Sequence, residues 1–211
     1  MALFSVPNIK LSGVSASLPK QKVSNQDLSG LSDEERTALI FGTGIENRRI
    51  ADEKTLASDL CVDAAQSLME EMGWKEEEIE VLVFVTQTPD YLIPATANLI
   101  QHKLGLSKKC MSIDVTQGCS GYVYGLSVIS SLISAGKIKK GLLLVGDTIT
   151  KTLKDGDNST IPIFSDAGSA TAIEYDENAI LAKYTTFQLG GPCPCLIHCQ
   201  TPAELELVIR E

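Results

Sequence analysis

The sequence predicts an α/β fold, a layered domain in which a mixed, mainly parallel sheet carries helices on both faces. Three short runs are apolar at consecutive positions, which is typical of parallel strands covered on both sides: Val81 to Val85, Met111 to Val115 and Leu142 to Val145. Two helical segments alternate with these runs, Ala95 to Leu104 and Ser120 to Ala135. This alternation favours parallel strands joined by crossover helices.

Shorter elements precede this core. Ile9 to Leu18 is predicted to form a first strand that ends at Pro19. Asn25 to Leu28 and Asp33 to Phe41 are predicted to be short helices, and Ser32 is placed to cap the second of them. Each prediction depends on local capping and breaking residues.

The best helical pattern runs from Leu56 to Met72, because Leu60, Ala64 and Leu68 repeat at intervals of four and form one apolar stripe. A turn around Thr43 to Ile45 precedes it. At the other end of the domain, Ile163 to Tyr175 is predicted to supply one or two further strands.

Composition excludes several classes of function. The 211 residues include 18 Lys and Arg against 27 Asp and Glu, a net charge of −9, which argues against nucleic-acid and anionic-membrane partners. With 44% hydrophobic residues, the chain has the composition of a packed globular domain. The uncharged stretch from Val115 to Gly136 is half Gly, Ser, Thr and Gln, so we expect it to be buried in protein. Met1 to Val14 shows no secretory pattern, and we expect a cytoplasmic protein.

We expect an amino-terminal domain at 1–186 and a separate tail at 187–211. The tail opens with a structure-breaking segment, Gly190 to Cys195, and its composition resembles that of a truncated or frame-shifted reading frame; a natural half-length protein is the alternative. Ala203 to Arg210 is predicted to be a short helix. Three thiols and an imidazole lie close together there, but their spacing is uncommon for zinc, and we expect no metal: Cys193, Cys195, His198 and Cys199.

The residue best placed for catalysis is Cys119, which follows an apolar strand and precedes an uncharged helix. Unpaired N–H groups and the helix dipole place partial positive charge at such a turn, which stabilises a thiolate. Gly118 and Gly121 leave room for an acyl group to approach. The alternative is a buried, inert structural cysteine, since free cysteine is among the most buried residue types.

Five stretches resemble, in order and separation, the amino-terminal half of the β-ketoacyl-acyl-carrier-protein synthase III family, whose members have the thiolase fold. They are Thr43–Ile45 with Arg48–Ala51, then Val83–Pro89, Pro94–Ala97 leading into Gln101–Leu106, Asp114–Gly121, and Phe164–Ala170. The resemblance covers about residues 8 to 186.

The resemblance implies that Cys119 is a nucleophile that takes an acyl group from a thioester of coenzyme A or acyl carrier protein. Malonyl on acyl carrier protein then loses CO₂, and its carbanion attacks the acyl-enzyme. No other cofactor is implied. The His and Asn that assist this step come from the family's carboxy-terminal half, and His102 is expected to be an ordinary helix-surface residue. A non-catalytic chain that binds a partner subunit or an acyl carrier is the alternative function.

The resemblance also implies a homodimer and three substrate-binding residues. Ile93 corresponds to a residue that lines the acyl pocket of the partner subunit, unless it serves plain packing. Phe41 is placed to stack weakly on the donor, although Gly42 stands where the family often has an arginine. Arg48 is one of several cations that could meet an acidic carrier or be merely solvated; the others are Arg49, Lys108, Lys109, Lys137, Lys139 and Lys140.

Overall fold

A computed structural model describes residues 6–177 of the chain. The predicted tail at 187–211, its four candidate metal ligands and its helix therefore lie outside the described residues. The described strands are β1 (Ile9–Ser17), β2 (Gln21–Ser24), β3 (Asn47–Ile50), β4 (Val81–Val85), β5 (Met111–Val115), β6 (Lys140–Asp147) and β7 (Ala167–Tyr175). The α-helices are α1 (Asp33–Thr43), α2 (Ala57–Met72), α3 (Thr96–Lys103) and α4 (Gly121–Gly136).

Five of the strands form one mixed sheet in the order β1-β7-β6-β4-β5. Strand β4 is parallel to both β5 and β6, whereas β7 is antiparallel to both β6 and β1. Four strands thus point one way and β7 points the other, which confirms the mixed, mainly parallel α/β fold.

Helices cover both faces of this sheet and create two apolar clusters. On one face, α2 and α3 pack on inward side chains that include Leu82, Phe84 and Leu144. On the other face, α4 packs on side chains that include Val83 and Leu143. All five residues of β4 are buried, because this strand has neighbours on both edges and helices on both faces.

Two predicted elements differ from the structure, and a third is shorter than its predicted range. Strand β5 is not covered on both sides, because it lies at the sheet edge and its Met111 is 45% exposed. Residues 25–27 form only a 3₁₀ turn. Ile163 to Tyr175 supplies a single strand, which begins at Ala167.

Strands β2 and β3 form a two-stranded antiparallel sheet that the sequence analysis missed. Its strands are four residues long and largely polar, so they show no clear alternation of apolar and polar residues. Residue spacing carried no signal for their pairing, which joins segments more than twenty positions apart.

None of the described helices is both long and apolar enough to cross a membrane.

Cys61 on α2 provides a test of the packing between α2 and the sheet. Burial raises the pKa of its thiol from the ordinary value of 9.0 to about 12. The unfolded chain therefore ionises this group first as the pH rises above about 9. Its contribution to stability is complete below that pH and is lost as the pH rises toward 12.

We expect the free energy of unfolding of the unmodified chain to fall more steeply between pH 9 and pH 11 than that of Cys61→Ala. The difference in slope approaches about 1.4 kcal/mol per pH unit, the value for one proton. Urea unfolding at a series of pH values measures it. Parallel pH profiles for the two proteins would contradict the assignment.

Candidate active site

Cys119 lies in a tight turn between the end of β5 and the start of α4. The backbone N–H of Gly121 donates to the Gly118 carbonyl over 2.7 Å and closes the turn. The N–H of Tyr124 donates to the Ser120 carbonyl over 3.1 Å, where the helix begins. The Cys119 side chain is exposed. The structure therefore places this thiol where the sequence predicts it, just before the first turn of a helix.

Glycines bring this turn close to the sheet. A Cβ atom at Gly121 would lie 2.7 Å from Val85 Cγ1, and one at Gly125 would lie 2.6 Å from Val85 Cγ2. Such separations are too short for real Cβ atoms, so larger residues would lift the start of α4 away from β4. The two glycines hold the Cys119 turn at the carboxyl edge of the sheet.

The electrostatics of the turn favour negative charge. No acidic side chain lies in the first turn of α4, so no carboxylate on the helix offsets the positive end of its dipole. Among residues 6–177, no hydrogen bond from the Cys119 backbone N–H to an acceptor is found. A free N–H beside a sulfur nucleophile can stabilise the oxyanion that forms when a thioester carbonyl is attacked.

The other two described cysteines do not share this environment. Cys61 and Cys110 are both buried. Burial raises the pKa of the Cys110 thiol to about 11, and the pKa of Cys61 is higher still. Both are therefore protonated thiols at neutral pH, and Cys119 is the one accessible thiol within residues 6–177.

Two aspartates that the sequence analysis did not single out as site residues organise the loops around the turn. Asp114 of β5 accepts hydrogen bonds from the backbone N–H groups of Thr96 and Ala97, each over 2.7 Å. It thereby caps α3, whose own N-cap residue, Ala95, has no side-chain acceptor. Asp147, at the end of β6, holds the loop that follows β4. The sequence signal that could have identified both aspartates was a carboxylate at or near the end of a strand.

The three predicted substrate-binding residues occupy different environments. Ile93 is 88% exposed in a loop whose neighbours Tyr91 and Leu92 are also exposed. Phe41 is 92% exposed on α1 and borders an open depression of ≈ 540 Å³. These two side chains are available to a partner or a ligand, and their binding roles stay predictions.

Arg48 is only 4% exposed, unlike the other two. Its Nε donates to Asn25 Oδ1 over 2.7 Å, which ties β3 to the 3₁₀ turn. Burial lowers the pKa of its guanidinium, and the nearby Asp166 opposes that effect. The contact explains Arg48 as a structural residue within this chain, while substrate binding by Arg48 stays a prediction. His102 is exposed on α3, as expected.

The lysines that could meet an acidic carrier lie at the opposite end of the sheet from the Cys119 thiol. Lys108 and Lys109 precede β5, and Lys139 precedes β6, whereas Cys119 follows β5. Because β5 and β6 both run parallel to β4, a strand length of about 16 Å separates the two ends. Lys140 is engaged by Glu78 over 2.8 Å and by the Trp74 ring. These positions favour a solvated surface over a carrier site next to Cys119.

Comparison with known proteins shows which family this chain resembles. The model of the family described as 3-oxoacyl-[acyl-carrier-protein (ACP)] synthase III matches residues 113–189, which include the end of β5, the Cys119 turn, α4, β6 and β7. The β-ketoacyl-[acyl-carrier-protein] synthase III 2 of Halalkalibacterium halodurans is 32% identical over 187 residues. The chain is therefore similar to the β-ketoacyl-acyl-carrier-protein synthase III family over most of its length. This confirms the resemblance inferred from the five stretches.

The chain spans about half the length of the curated relatives it matches. The H. halodurans match covers 89% of this chain and 55% of that protein. A second relative, the β-ketoacyl-[acyl-carrier-protein] synthase III of Streptococcus sanguinis, is 33% identical, and the match covers 88% of this chain and 58% of that protein.

Solved structures agree on the thiolase-like fold. A 3-oxoacyl-(acyl-carrier protein) synthase from Burkholderia xenovorans LB400 superposes with a TM-score of 0.79 at 37% identity, over 81% of this chain and 49% of that one. A 3-oxoacyl-[acyl-carrier-protein] synthase III from Aquifex aeolicus VF5 gives 0.73 at 31% identity, over 81% and 55%.

The last of the five stretches has a structural explanation in this chain. Asp166 is fully buried and accepts hydrogen bonds from the backbone N–H groups of Ala51 and Thr150, over 2.8 and 3.0 Å. It joins the end of β3 to the segment after β6. Its carboxylate therefore holds these two segments together.

Proposed function

We propose that this chain carries the nucleophile of a 3-oxoacyl-[acyl-carrier-protein] synthase III-type acyltransferase, with Cys119 as the catalytic residue. The single observation that carries the proposal is the exposed Cys119 thiol at the entrance of α4, in a chain similar to this family. The names of the relatives favour this function over a non-catalytic chain.

The chemistry begins with attack by the Cys119 thiolate on the carbonyl carbon of an acyl thioester. Negative charge moves to the carbonyl oxygen, where the Cys119 N–H can donate a hydrogen bond. Collapse of the tetrahedral intermediate breaks the bond to the donor sulfur, which leaves as a thiolate and then takes a proton. The acyl-Cys119 product is the electrophile for the carbanion that forms when malonyl on acyl carrier protein loses CO₂.

Incubation with an acyl thioester followed by peptide mass spectrometry tests the first half-reaction. We expect one acyl group per chain, on the peptide that contains Cys119. A thioester of coenzyme A or of acyl carrier protein is the proposed donor, and no further cofactor takes part. Absence of any adduct with either donor would contradict the proposal.

We also propose that the chain works as a homo-oligomer in the cytoplasm, with residues 1–186 as its thiolase-like domain. Three exposed features support self-association. Strand β5 ends the described sheet and has one backbone edge without a strand partner among residues 6–177. The neighbouring loop exposes Leu92 at 94% and Ile93 at 88%. Helix α4 contains no charged residue along an outer side that includes the exposed Tyr124. Each of these is a feature that self-association would cover.

A charge at this surface should weaken the assembly. For Leu92→Lys we expect the dissociation constant, measured by sedimentation equilibrium, to rise about tenfold or more, because a buried interface excludes an unpaired ammonium. Lys22→Leu, on the separate sheet of β2 and β3, is the control and should leave the dissociation constant unchanged. A strictly monomeric unmodified chain at micromolar concentration would contradict self-association.

A further inference from the structure

The carboxamide of Gln87 lies directly over the turn that carries the nucleophile. A Cβ atom at Gly118 would lie 2.9 Å from Gln87 Oε1 and 3.3 Å from Gln87 Nε2. Since Gly118 precedes Cys119, both polar ends of the carboxamide lie within about 8 Å of the Cys119 Cα atom. Gly118 has no side chain, and this is what allows so close an approach.

The backbone that carries Gln87 is held rigidly. Asp147 Oδ1 accepts hydrogen bonds from the N–H of Gln87 over 2.7 Å and from the N–H of Thr88 over 3.0 Å. The hydroxyl groups of Thr86 and Thr88 donate to the same oxygen. One carboxylate thus holds three consecutive residues, so the backbone from which the Gln87 side chain extends toward Gly118 is fixed before any ligand arrives.

The hydrogen-bonding capacity of this carboxamide is unused. Within residues 6–177, the Gln87 side chain has no hydrogen-bond partner, although it can donate two hydrogen bonds and accept others. Gln87 is also exposed to solvent. Packing over Gly118 needs only volume, and an apolar side chain such as methionine would supply that. A polar group that no internal contact uses, next to a nucleophile, is placed to meet a ligand.

We infer that Gln87 hydrogen-bonds the secondary amide nearest the sulfur atom when the acyl donor is a pantetheine thioester. This inference rests on the proposed function of Cys119. In such donors two methylene groups separate the sulfur from the amide, so the amide must lie near Cys119 whenever the thioester is attacked. A carboxamide complements an amide, because Nε2–H donates to its carbonyl while Oε1 accepts from its N–H.

The test compares two acetyl donors that differ in this amide. Acetyl-N-acetylcysteamine has it, and S-ethyl thioacetate lacks it. For Gln87→Met, which keeps the volume and removes the hydrogen bonds, we expect the rate constant for acylation of Cys119 by the first donor to fall about 5-fold to 20-fold. The rate with S-ethyl thioacetate should stay within about twofold of the unmodified chain. Gln66→Met, on the exposed side of α2, is the matched control and should change neither rate.

A second reagent separates binding from disturbance of the turn. Methyl methanethiosulfonate reacts with the thiol and carries no amide, so Gln87→Met should leave its rate of reaction with Cys119 unchanged. If Gln87→Met slows all three reagents together, or slows none, the inferred amide contact is wrong while the proposed function stands. If the unmodified chain takes acetyl from neither thioester, the proposed function fails, and the inference fails with it.

Discussion

Replacing Cys119 with serine is expected to abolish acyl transfer from thioesters, with the rate falling by on the order of 10³-fold or more. The reason is the difference between a thiol and an alcohol at the same place. Sulfur is the stronger nucleophile and gives up its proton more readily than oxygen, whereas a serine hydroxyl needs a general base to become a nucleophile. Stopped incubations with acyl donor, digested and analysed by mass spectrometry, give the rate for each cysteine.

The matched control for this variant is Cys110→Ser. Cys110 is buried, and burial raises the pKa of its thiol to about 11, so it should take no acyl group in the unmodified chain. Its substitution should leave acylation of Cys119 intact. Persistence of the adduct in Cys119→Ser, or its loss in Cys110→Ser with the fold preserved, would contradict the assignment of the nucleophile.

Gly168→Ala is expected to cause the largest loss of stability among single-methyl changes in this chain. A Cβ atom at Gly168 would lie 2.5 Å from the backbone N of Cys61 and 2.5 Å from the backbone C of Leu60. Both atoms belong to the main chain of α2, which cannot rotate away as a side chain can. We expect the free energy of unfolding to fall by about 3 kcal/mol or more, as measured by urea denaturation.

Gly42→Ala is the control for the same chemical change. Gly42 lies in α1, and a Cβ atom there would meet nothing within 4 Å. Alanine favours helix over glycine, so this variant should be unchanged or stabilised by up to about 1 kcal/mol. Equal midpoints for Gly168→Ala and the unmodified chain would contradict the close packing of β7 on α2.

Local patterns accounted for the elements with strong periodicity or unbroken apolar runs. Val81 to Val85 is a central buried strand, and the four-residue stripe of α2 faces the core. Ser32 also caps α1 as predicted, and Glu35 completes a capping box with it. In each case the decisive interactions lie within a few residues of one another, so a short window of sequence contains the information.

Contacts between distant segments could not be predicted in this way. The burial of Arg48 depends on Asn25, 23 positions earlier. The loop beneath Gln87 depends on Asp147, 60 positions later. Neither pair has a characteristic spacing, and the prediction of surface binding for Arg48 took no account of the partner that the fold supplies.

The sequence by itself determined the α/β class, the family resemblance and the position of Cys119 between a strand and a helix, because these depend on apolar periodicity, residue order and adjacent backbone. Only the tertiary structure decided that β7 runs against its neighbours, that Gly168 admits the backbone of α2, and that the Gln87 carboxamide lies over Gly118. Those arrangements arise when the sheet and its helices pack, which brings together atoms that the chain order keeps far apart.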